Sequence, residues 1–385
     1  MTALPPSADV VVIGAGIVGC STAFHLAEAG AGRVLLVERE NAVGMGSTGA
    51  CAGGFRHQFS TEVNVALSKA SIPMITGFTR EHDLPLDVSQ DGYLFLLRDD
   101  AAWDGFLRAA DLQRAMGVEV EVLTADEAAR LVPGLALDDV VGATFGPRDG
   151  IADPGALTQG YETLARRHGV VVALGTAVNA LVTGPGGLTA VRTERGDVAT
   201  RCVVVAAGAW SAPVAATAGI DLPIEPVPRV VVTTSGFPGA PGRRTLVIDV
   251  ASSFYFHREA DGVLMGMGGA DVVSFDTSVD ERFVAERLVP RGVQVFPPLA
   301  EAGLRSMWAG LYEMTPDRHP IVGLGPVDGV WLAAGFSGHG FQHGPVVGKL
   351  LAEMIVEGGA RTLDARPLAY DRFVRGEMIR EGHVV

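Results

Sequence analysis

The sequence predicts an α/β chain (α+β overall) in which a parallel-sheet domain is discontinuous and a mostly antiparallel sheet domain is inserted into it. Three observations predict this fold class. A strand–turn–helix–strand unit occupies residues 9–40, and further glycine-terminated strands follow at residues 201–210 and 329–355. The segments between these units alternate short apolar runs with turns, which is typical of antiparallel sheets.

The first unit reads DVVVIGAGIVGCSTAFHLAEAGAGRVLLVERE, a buried strand followed by a glycine motif, an amphipathic helix and a second strand. Gly14 makes the tight turn, Gly16 lets the backbone approach a pyrophosphate, and Gly19 permits close helix–strand packing. Glu38 ends the second strand, where it can accept hydrogen bonds from both ribose hydroxyls of an adenosine. The unit therefore predicts a Rossmann-like dinucleotide site and disfavours NADP.

The later strands indicate which dinucleotide is bound. The run CVVVAAGAW leads into Gly208, and residues 329–355 form another strand–loop–helix unit, with its helix predicted from about Pro345 to Ile355. Proline at that position suits the first turn of a helix. An NAD dehydrogenase usually completes its cofactor domain in one continuous piece, so a domain that returns twice along the chain indicates FAD.

We assign residues 1–80, 146–219 and 311–385 to the FAD-binding domain, and residues 81–145 and 220–310 to the substrate-binding domain. The inserted ranges carry apolar runs such as GYLFLLR and VVVTT, which predict strands of a mostly antiparallel sheet. The charged tail, residues 370–385, is predicted to be partly helical and to form a solvated face.

The composition of the chain limits the classes of partner that it can bind. Its 385 residues carry a net charge of −14, so no basic surface is available to neutralise nucleic-acid phosphates. No uncharged apolar run reaches the ~18 residues that span a bilayer. The three cysteines (Cys20, Cys51 and Cys202) are widely spaced and form no CxxC, so neither a disulfide framework nor a metal site is predicted. We expect a cytoplasmic protein.

The stretch GMGSTGACAGGFRHQFS, residues 44–60, follows the first unit and delivers Arg56 behind a run of glycines. A planar guanidinium can bind a carboxylate through two hydrogen bonds, so Arg56 is the first choice for the substrate carboxylate, with a structural ion pair as the alternative.

Tyr255 and His257 alternate along FYFHR and share one face of a strand. That face either lines a pocket or packs in the sheet.

Four stretches resemble the FAD-dependent amine oxidoreductases of the D-amino-acid oxidase, glycine oxidase and sarcosine oxidase superfamily, most of all the β-type subunits of sarcosine oxidase and dye-linked proline dehydrogenase. They are the first glycine motif, GSTGACAGGFR, WAGLYEMTPDRHPIVG and GFSGHGFQHGPVVG. Together with the glycine motif, the resemblance predicts cofactor-binding residues Gly14, Gly16, Ile17, Gly19, Glu38, Arg39, Gly46, Ser47, Thr48, Gly53, Val178, Gly208, Gly310, Gly338, His339, Gly340, Phe341 and Gln342. The predicted catalytic and substrate-binding residues are Arg56, Tyr255, His257, Tyr312, Gln342 and His343.

The chain also departs from that family. The cysteine that carries covalent FAD in monomeric sarcosine oxidase matches Gly310, and the histidine that carries it in other relatives matches Ala50, so the resemblance implies noncovalent FAD. The lysine associated with oxygen activation falls near Leu264, and the substrate-binding lysine corresponds to Gln342. Gln342 or His343 can replace the substrate-binding lysine as a hydrogen-bond donor.

The resemblance implies FAD-dependent oxidation of a small secondary or N-methylated amino acid, sarcosine- or proline-like, followed by imine hydrolysis. The flavin supplies the electronics of hydride transfer. The acceptor is either O2 or an electron-transfer partner, and a hetero-oligomer is one possibility. Two alternatives stay open: a 2-hydroxy-acid or glycerol-phosphate oxidoreductase, and the flavin subunit of a larger dye-linked dehydrogenase complex.

Overall fold

The structure, a computed structural model, describes residues 4–383. A six-stranded sheet collects strands from distant parts of the chain, which confirms the predicted discontinuity. Neighbouring strands in this sheet are parallel, except for the antiparallel pair Ile321–Leu324 and Val330–Ala334. In spatial order the strands are Ile321–Leu324, Val330–Ala334, Val203–Val205, Val10–Ile13, Val34–Val37 and Val171–Ala173.

Both faces of this sheet are covered, as expected for strands that are apolar throughout. Val10 and Val12 point into a core that includes residues of three helices, and Val11 and Ile13 point into a second core on the other face. The three helices are Ile17–Glu28, Pro154–Arg167 and Gly340–Glu357. The second face packs against helix Ser211–Ala216 and an antiparallel sheet of Val178–Gly184, Gly187–Thr193 and Gly196–Ala199.

The inserted sheet has eight strands, and seven pairs of neighbours join them. Every pair is antiparallel except Tyr93–Leu97 with Leu246–Asp249, so the predicted mostly antiparallel sheet is confirmed. In spatial order the strands are Leu304–Met314, Glu225–Thr234, Gly262–Met267, Phe254–Glu259, Leu246–Asp249, Tyr93–Leu97, Gly142–Gly146 and Glu121–Leu123.

The remaining elements connect the two large sheets or flank them. A short antiparallel sheet joins Gly54–Phe55, Gly150–Ala152 and Val88–Ser89. The other α-helices are Ser47–Ala50, Glu62–Thr76, Phe78–His82, Asp100–Ala115, Ala125–Leu131, Glu281–Phe283, Val289–Val295 and Asp371–Arg375, with a π-helical turn at Val284–Leu288. Short 3₁₀ helices lie at Gly208–Trp210, Pro297–Glu301 and Arg366–Leu368. Within residues 4–383, no helix has the length and apolarity that crossing a membrane requires.

The start of the last long helix was predicted wrongly. The helix begins at Gly340, so Pro345 lies in its second turn rather than its first. Gly344 and Gly348 lie inside this helix and let it approach the first helix, Ile17–Glu28, closely. A Cβ on Gly348 would lie 2.4 Å from the Ser21 Oγ, and one on Gly344 would lie 3.0 Å from the Ile17 side chain, so this helix packs closely against the first helix.

The prediction of a solvated tail is also wrong for three of its charged or titratable residues. Arg372, Glu381 and His383 are buried. Arg372 binds the Asp317 carboxylate through Nε at 2.7 Å, and the His383 ring stacks on Phe106 with 3.8 Å between centroids. The ion pair of Arg372 compensates that side chain for its loss of water, and the stacked ring of His383 packs the end of the tail against the body of the protein.

Candidate functional site

A cavity of about 620 Å³ lies between the six-stranded and eight-stranded sheets. The six-stranded side contributes the first glycine motif and the loops after residues 205 and 334. The eight-stranded side contributes Tyr93, Arg229, Leu246 and Tyr255. The loop of residues 46–54 passes between them. A parallel sheet commonly binds its ligand at the carboxyl ends of its strands, where these loops meet.

The glycine motif has the geometry that close backbone approach requires. Gly14 has φ +98°, and a Cβ there would lie 2.4 Å from the Ala206 carbonyl oxygen. A Cβ on Gly19 would lie 1.8 Å from the Gly14 carbonyl oxygen, so Gly19 sets helix packing and does not line the cavity. Gly14 and Gly16 do line it.

Two long helices begin at the cavity without a side-chain cap. Gly16 is the N-cap of Ile17–Glu28 and His339 is the N-cap of Gly340–Glu357, and neither side chain accepts a hydrogen bond from its helix. Both N-caps line the cavity. The Ile17 N–H donates to the Thr48 hydroxyl at 3.2 Å, and the positive ends of the two helix dipoles favour an anionic or electron-rich ligand in the cavity.

The cavity also leaves the room that FAD needs. A Cβ on Gly46 or on Gly208 would meet nothing within 4 Å, so both positions open into the cavity. The Glu38 carboxylate is held at the end of its strand by the Ala15 N–H at 2.6 Å and the Glu40 N–H at 2.9 Å. The glycine motif, the uncapped helices and the open glycines fit FAD.

Every predicted cofactor-binding residue except Gly19 lines this one cavity. The guanidinium of Arg39 lies over the Trp210 ring, 3.6 Å from its centroid, and forms part of the wall. The lining residues from the predicted set are Gly14, Gly16, Ile17, Glu38, Arg39, Gly46, Ser47, Thr48, Gly53, Val178, Gly208, Gly310, Gly338, His339, Gly340, Phe341 and Gln342.

The loop of residues 46–54 is fixed to the strand Leu304–Met314. The Ser47 hydroxyl donates to the Leu311 carbonyl at 2.7 Å, and the Trp308 indole N–H donates to the Ala50 carbonyl at 3.0 Å. These bonds bring Ala50 against Gly310, where a Cβ on Gly310 would lie 2.6 Å from the Ala50 Cβ. Burial raises the pKa of Cys51 to about 12, so the thiol of this loop stays protonated.

Arg56 lines the cavity but already has several partners. Its Nη1 donates to the Gln58 carbonyl, and its Nη2 donates to the His383 carbonyl and lies 3.3 Å from His339 Nε2. The guanidinium also lies over the Phe59 ring, 4.0 Å from its centroid. Arg56 therefore anchors the C-terminal tail, while its Nε is free of these three hydrogen bonds.

Gln342 and His343 take part in a buried network behind Arg56. The Gln342 Oε1 accepts the Arg56 N–H at 2.9 Å, and its Nε2 donates to the Arg56 carbonyl at 3.2 Å and the Ser68 hydroxyl at 3.1 Å. His343 is buried and does not line the cavity. Burial lowers the pKa of His343 to about 3, so the ring is neutral. The side chain of Gln342 holds the Arg56 backbone in place.

Three tyrosines lie on the eight-stranded side of the cavity: Tyr93, Tyr255 and Tyr312. A Cβ on Gly338 would lie 2.5 Å from the Tyr312 ring, so this ring packs directly on the last glycine loop. Burial raises the pKa of all three phenols, which remain protonated at neutral pH. They can donate hydrogen bonds but cannot act as bases.

His257 shares a strand with Tyr255 but lies outside the cavity. Its Nδ1 is 2.8 Å from the Arg258 carbonyl, and burial lowers its pKa to about 4. Leu264 pairs with His257 in the sheet and is also buried away from the cavity. The face that carries Tyr255 and His257 therefore lines the cavity only at Tyr255.

Sequence reasoning missed Arg229, Tyr93 and Glu313, which all line the cavity. Arg229 pairs with Asp271, and its guanidinium lies 5.3 Å from the Tyr312 ring centroid. In the part of the chain that the structure describes, its Nε has no hydrogen-bond partner. A single arginine inside the apolar run VPRVVVTT was the available signal. Glu313 accepts the Gly335 N–H at 2.9 Å, and burial raises its pKa to about 7. No pattern in the sequence distinguishes Glu313.

Comparison with known proteins agrees with this geometry. The FAD dependent oxidoreductase family (DAO) matches residues 9–354. The chain is 32% identical over 430 aligned positions to FAD-dependent oxidoreductase domain-containing protein 1 of Xenopus laevis, covering 99% of this chain and 86% of that protein. It is 28% identical to sarcosine oxidase subunit beta of Rhizobium meliloti (strain 1021), covering 98% of this chain and 91% of that protein.

A solved structure of similar sequence has the same fold. The L-proline dehydrogenase from P. horikoshii superposes with a TM-score of 0.91 at 33% identity, covering 98% of this chain and all of the other. The match includes both the glycine motif at residue 14 and the last glycine loop at residue 338, because it extends over nearly the whole chain. The protein belongs to the DAO family of FAD-dependent oxidoreductases and is an FAD-dependent enzyme.

Proposed function

We propose that the protein oxidises the C–N bond of a small secondary or N-methylated amino acid, sarcosine- or proline-like, and that the resulting imine is then hydrolysed. One observation carries the proposal. Two arginines line the FAD cavity beside Tyr93, Tyr255 and Tyr312: Arg229 from the eight-stranded sheet, and Arg56 from the chain just after the strand Gly54–Phe55. A guanidinium in such a partly buried site is suited to a carboxylate.

We place the substrate carboxylate between Arg56 and Arg229, against Tyr312. Charges on Arg229 and Arg56 both act to lower the pKa of Tyr312, although burial dominates and raises it, so the phenol lies within electrostatic reach of both cations. Among residues 4–383, the Arg229 Nε has no hydrogen-bond partner. A carboxylate there would supply the missing acceptor and fix one end of the substrate.

FAD supplies the hydride acceptor when it is bound. The chain must hold the carboxylate and present a neutral amine. The tyrosines and Cys51 stay protonated, and Arg56 and Arg229 are cations, so none of these side chains is suited to remove a proton at neutral pH. We propose that the amine binds in its unprotonated form, which requires no base from the protein, and that the three tyrosines exclude water around it.

The acceptor is proposed to be a partner or dye rather than O2. The chain has two lysines, Lys69 and Lys349, and neither lines the cavity. The position expected to match the oxygen-activating lysine, Leu264, is apolar and buried. The sarcosine oxidase relative is named as a β subunit, which supports a flavin subunit that passes its electrons to another chain.

An anaerobic screen of the flavin spectrum tests the proposal. Sarcosine, proline and other N-alkyl amino acids are mixed with the holoenzyme, and bleaching near ~450 nm reports reduction of the flavin. Reduction by an amino acid with slow reoxidation in air is the expected result. Reduction by 2-hydroxy acids or glycerol phosphate, with no amino acid active, would replace the proposal by the hydroxy-acid alternative.

A further inference from the structure

A second cavity, of about 790 Å³, adjoins the FAD cavity. Arg229 and Tyr312 line both cavities, so the two meet at these side chains. The rest of the second cavity comes from residues 251–253, 268–271 and 380–382, together with Arg287 and Arg318. A substrate that fills both cavities would run past the side chains of Arg229 and Tyr312.

The second cavity is cationic in an acidic protein. Four arginines line it, against the carboxylates of Asp271 and Glu381. Asp271 pairs with both Arg229 and Arg318. Glu381 accepts hydrogen bonds from Thr61 at 2.9 Å and Asn64 at 3.1 Å, on the protein side of the tail.

The other two arginines of the second cavity are Arg287 and Arg380. Within residues 4–383, neither Arg287 nor Arg380 has a carboxylate at ion-pairing distance, and both are exposed at the cavity. Arg287 stands on the π-helical turn Val284–Leu288, a distortion that is frequent at functional sites. The chain as a whole carries a charge of −14, so a cluster of arginines in a cavity next to the substrate site stands out as local positive charge. Such a cluster favours an anionic ligand.

We infer that the second cavity binds a second carboxylate of the substrate, so that the substrate class is an N-alkyl amino acid with an acidic side chain or acidic N-substituent. The inference rests on the proposed function. The first carboxylate lies between Arg56 and Arg229, and the second lies between Arg287 and Arg380. Guanidinium groups pair with carboxylates through two parallel hydrogen bonds, so two arginines can hold one carboxylate at the cavity even where both are exposed.

Two racemic substrates that differ by one charge test this directly. Because N-methylglutamate and N-methylglutamine have nearly the same shape, the ratio of their kcat/KM values with a dye acceptor isolates the second carboxylate. The wild type is expected to prefer the acid by about tenfold. The double variant Arg287→Gln/Arg380→Gln is expected to lose that preference while keeping its kcat/KM for N-methylglutamine.

Arg282→Gln is the matched control, since Arg282 is exposed on the same helical segment, pairs with Glu286 and does not line the cavity. It should keep the preference. Equal values for the acid and the amide in the wild type, or an equal loss of both in the double variant, would overturn the inference. If sarcosine, proline and the other N-alkyl amino acids also fail to reduce the flavin, the proposed function fails with it. Reduction by sarcosine and N-methylglutamine without any advantage for the acid overturns only the second-cavity site.

Discussion

Ala50 and Gly310 lie against each other at the FAD cavity, and a Cβ on Gly310 would lie 2.6 Å from the Cβ of Ala50. These are the two positions where the resemblance placed flavin-linking side chains, a histidine at one and a cysteine at the other. Residues 260 positions apart in the chain thus form one contact, and neither carries a group that can bond to a flavin.

This contact predicts noncovalent FAD. Precipitation of the holoenzyme with acid should release all of the flavin into the supernatant and leave a colourless pellet, because no nucleophilic side chain occupies either position. The absorbance of the supernatant measures the released flavin. Flavin absorbance retained in the washed pellet would show a covalent bond and refute the prediction.

Arg229→Gln should raise the KM for amino-acid substrates about thirtyfold, which corresponds to about 2 kcal/mol, because a partly buried carboxylate loses its cation. The melting temperature should change little, since Asp271 is half-exposed and keeps Arg318. Steady-state kinetics with a dye acceptor measure the change. Arg258→Gln, on the same sheet but outside the cavity, is the control and should retain the wild-type KM.

Arg56→Gln should raise KM and also lower stability, because Arg56 both faces the cavity and holds the His383 carbonyl. Loss of a buried, hydrogen-bonded charge is expected to cost about 3 kcal/mol in the free energy of unfolding. Urea denaturation measures that loss, and carboxypeptidase digestion reports release of the tail. An unchanged KM with a released tail would leave Arg56 as an anchor and remove it from the substrate site.

Glu313 should make stability depend on pH. Burial raises its pKa from 4.5 to about 7, so the native state holds this proton more tightly than the unfolded chain does. Its contribution is therefore complete below about pH 4.5 and is lost as the pH rises to about 7, by about 3 kcal/mol.

Urea denaturation of the wild type and of Glu313→Gln between about pH 4.5 and about pH 8 measures this contribution, since the amide does not titrate. The difference in unfolding free energy between the two proteins should change across that window. The exposed Glu301→Gln variant should follow the wild type. A constant difference between wild type and Glu313→Gln would mean that Glu313 is already ionised below pH 7.

The sequence predicted the cofactor side of the molecule well because glycine positions are set by local geometry. Gly14, Gly16 and Gly208 are constrained by turns and open space, and such constraints leave a pattern that can be read in order along the chain. The discontinuous sheet was predicted for the same reason, since the apolar strands Val10–Ile13, Val203–Val205 and Val330–Ala334 each lead into a glycine-containing turn.

The substrate side was harder because its contacts are long-range. His343 follows the same loop as His339, yet helix geometry turns it into the network of Ser68, away from the cavity. Arg229 reaches the site from a strand whose other residues look like ordinary sheet. The burial of His383 depends on Phe106 and Arg56, neither of which is near it in sequence.

Product analysis under anaerobic conditions shows whether an amine reduces the FAD of this protein. The holoenzyme is mixed with excess sarcosine, and both reduced flavin and released formaldehyde are quantified in the same sample. Hydride transfer followed by imine hydrolysis predicts about one formaldehyde for each flavin reduced. A flavin that stays oxidised with sarcosine, proline and their acidic analogues, but is reduced by a hydroxy acid, would contradict the account.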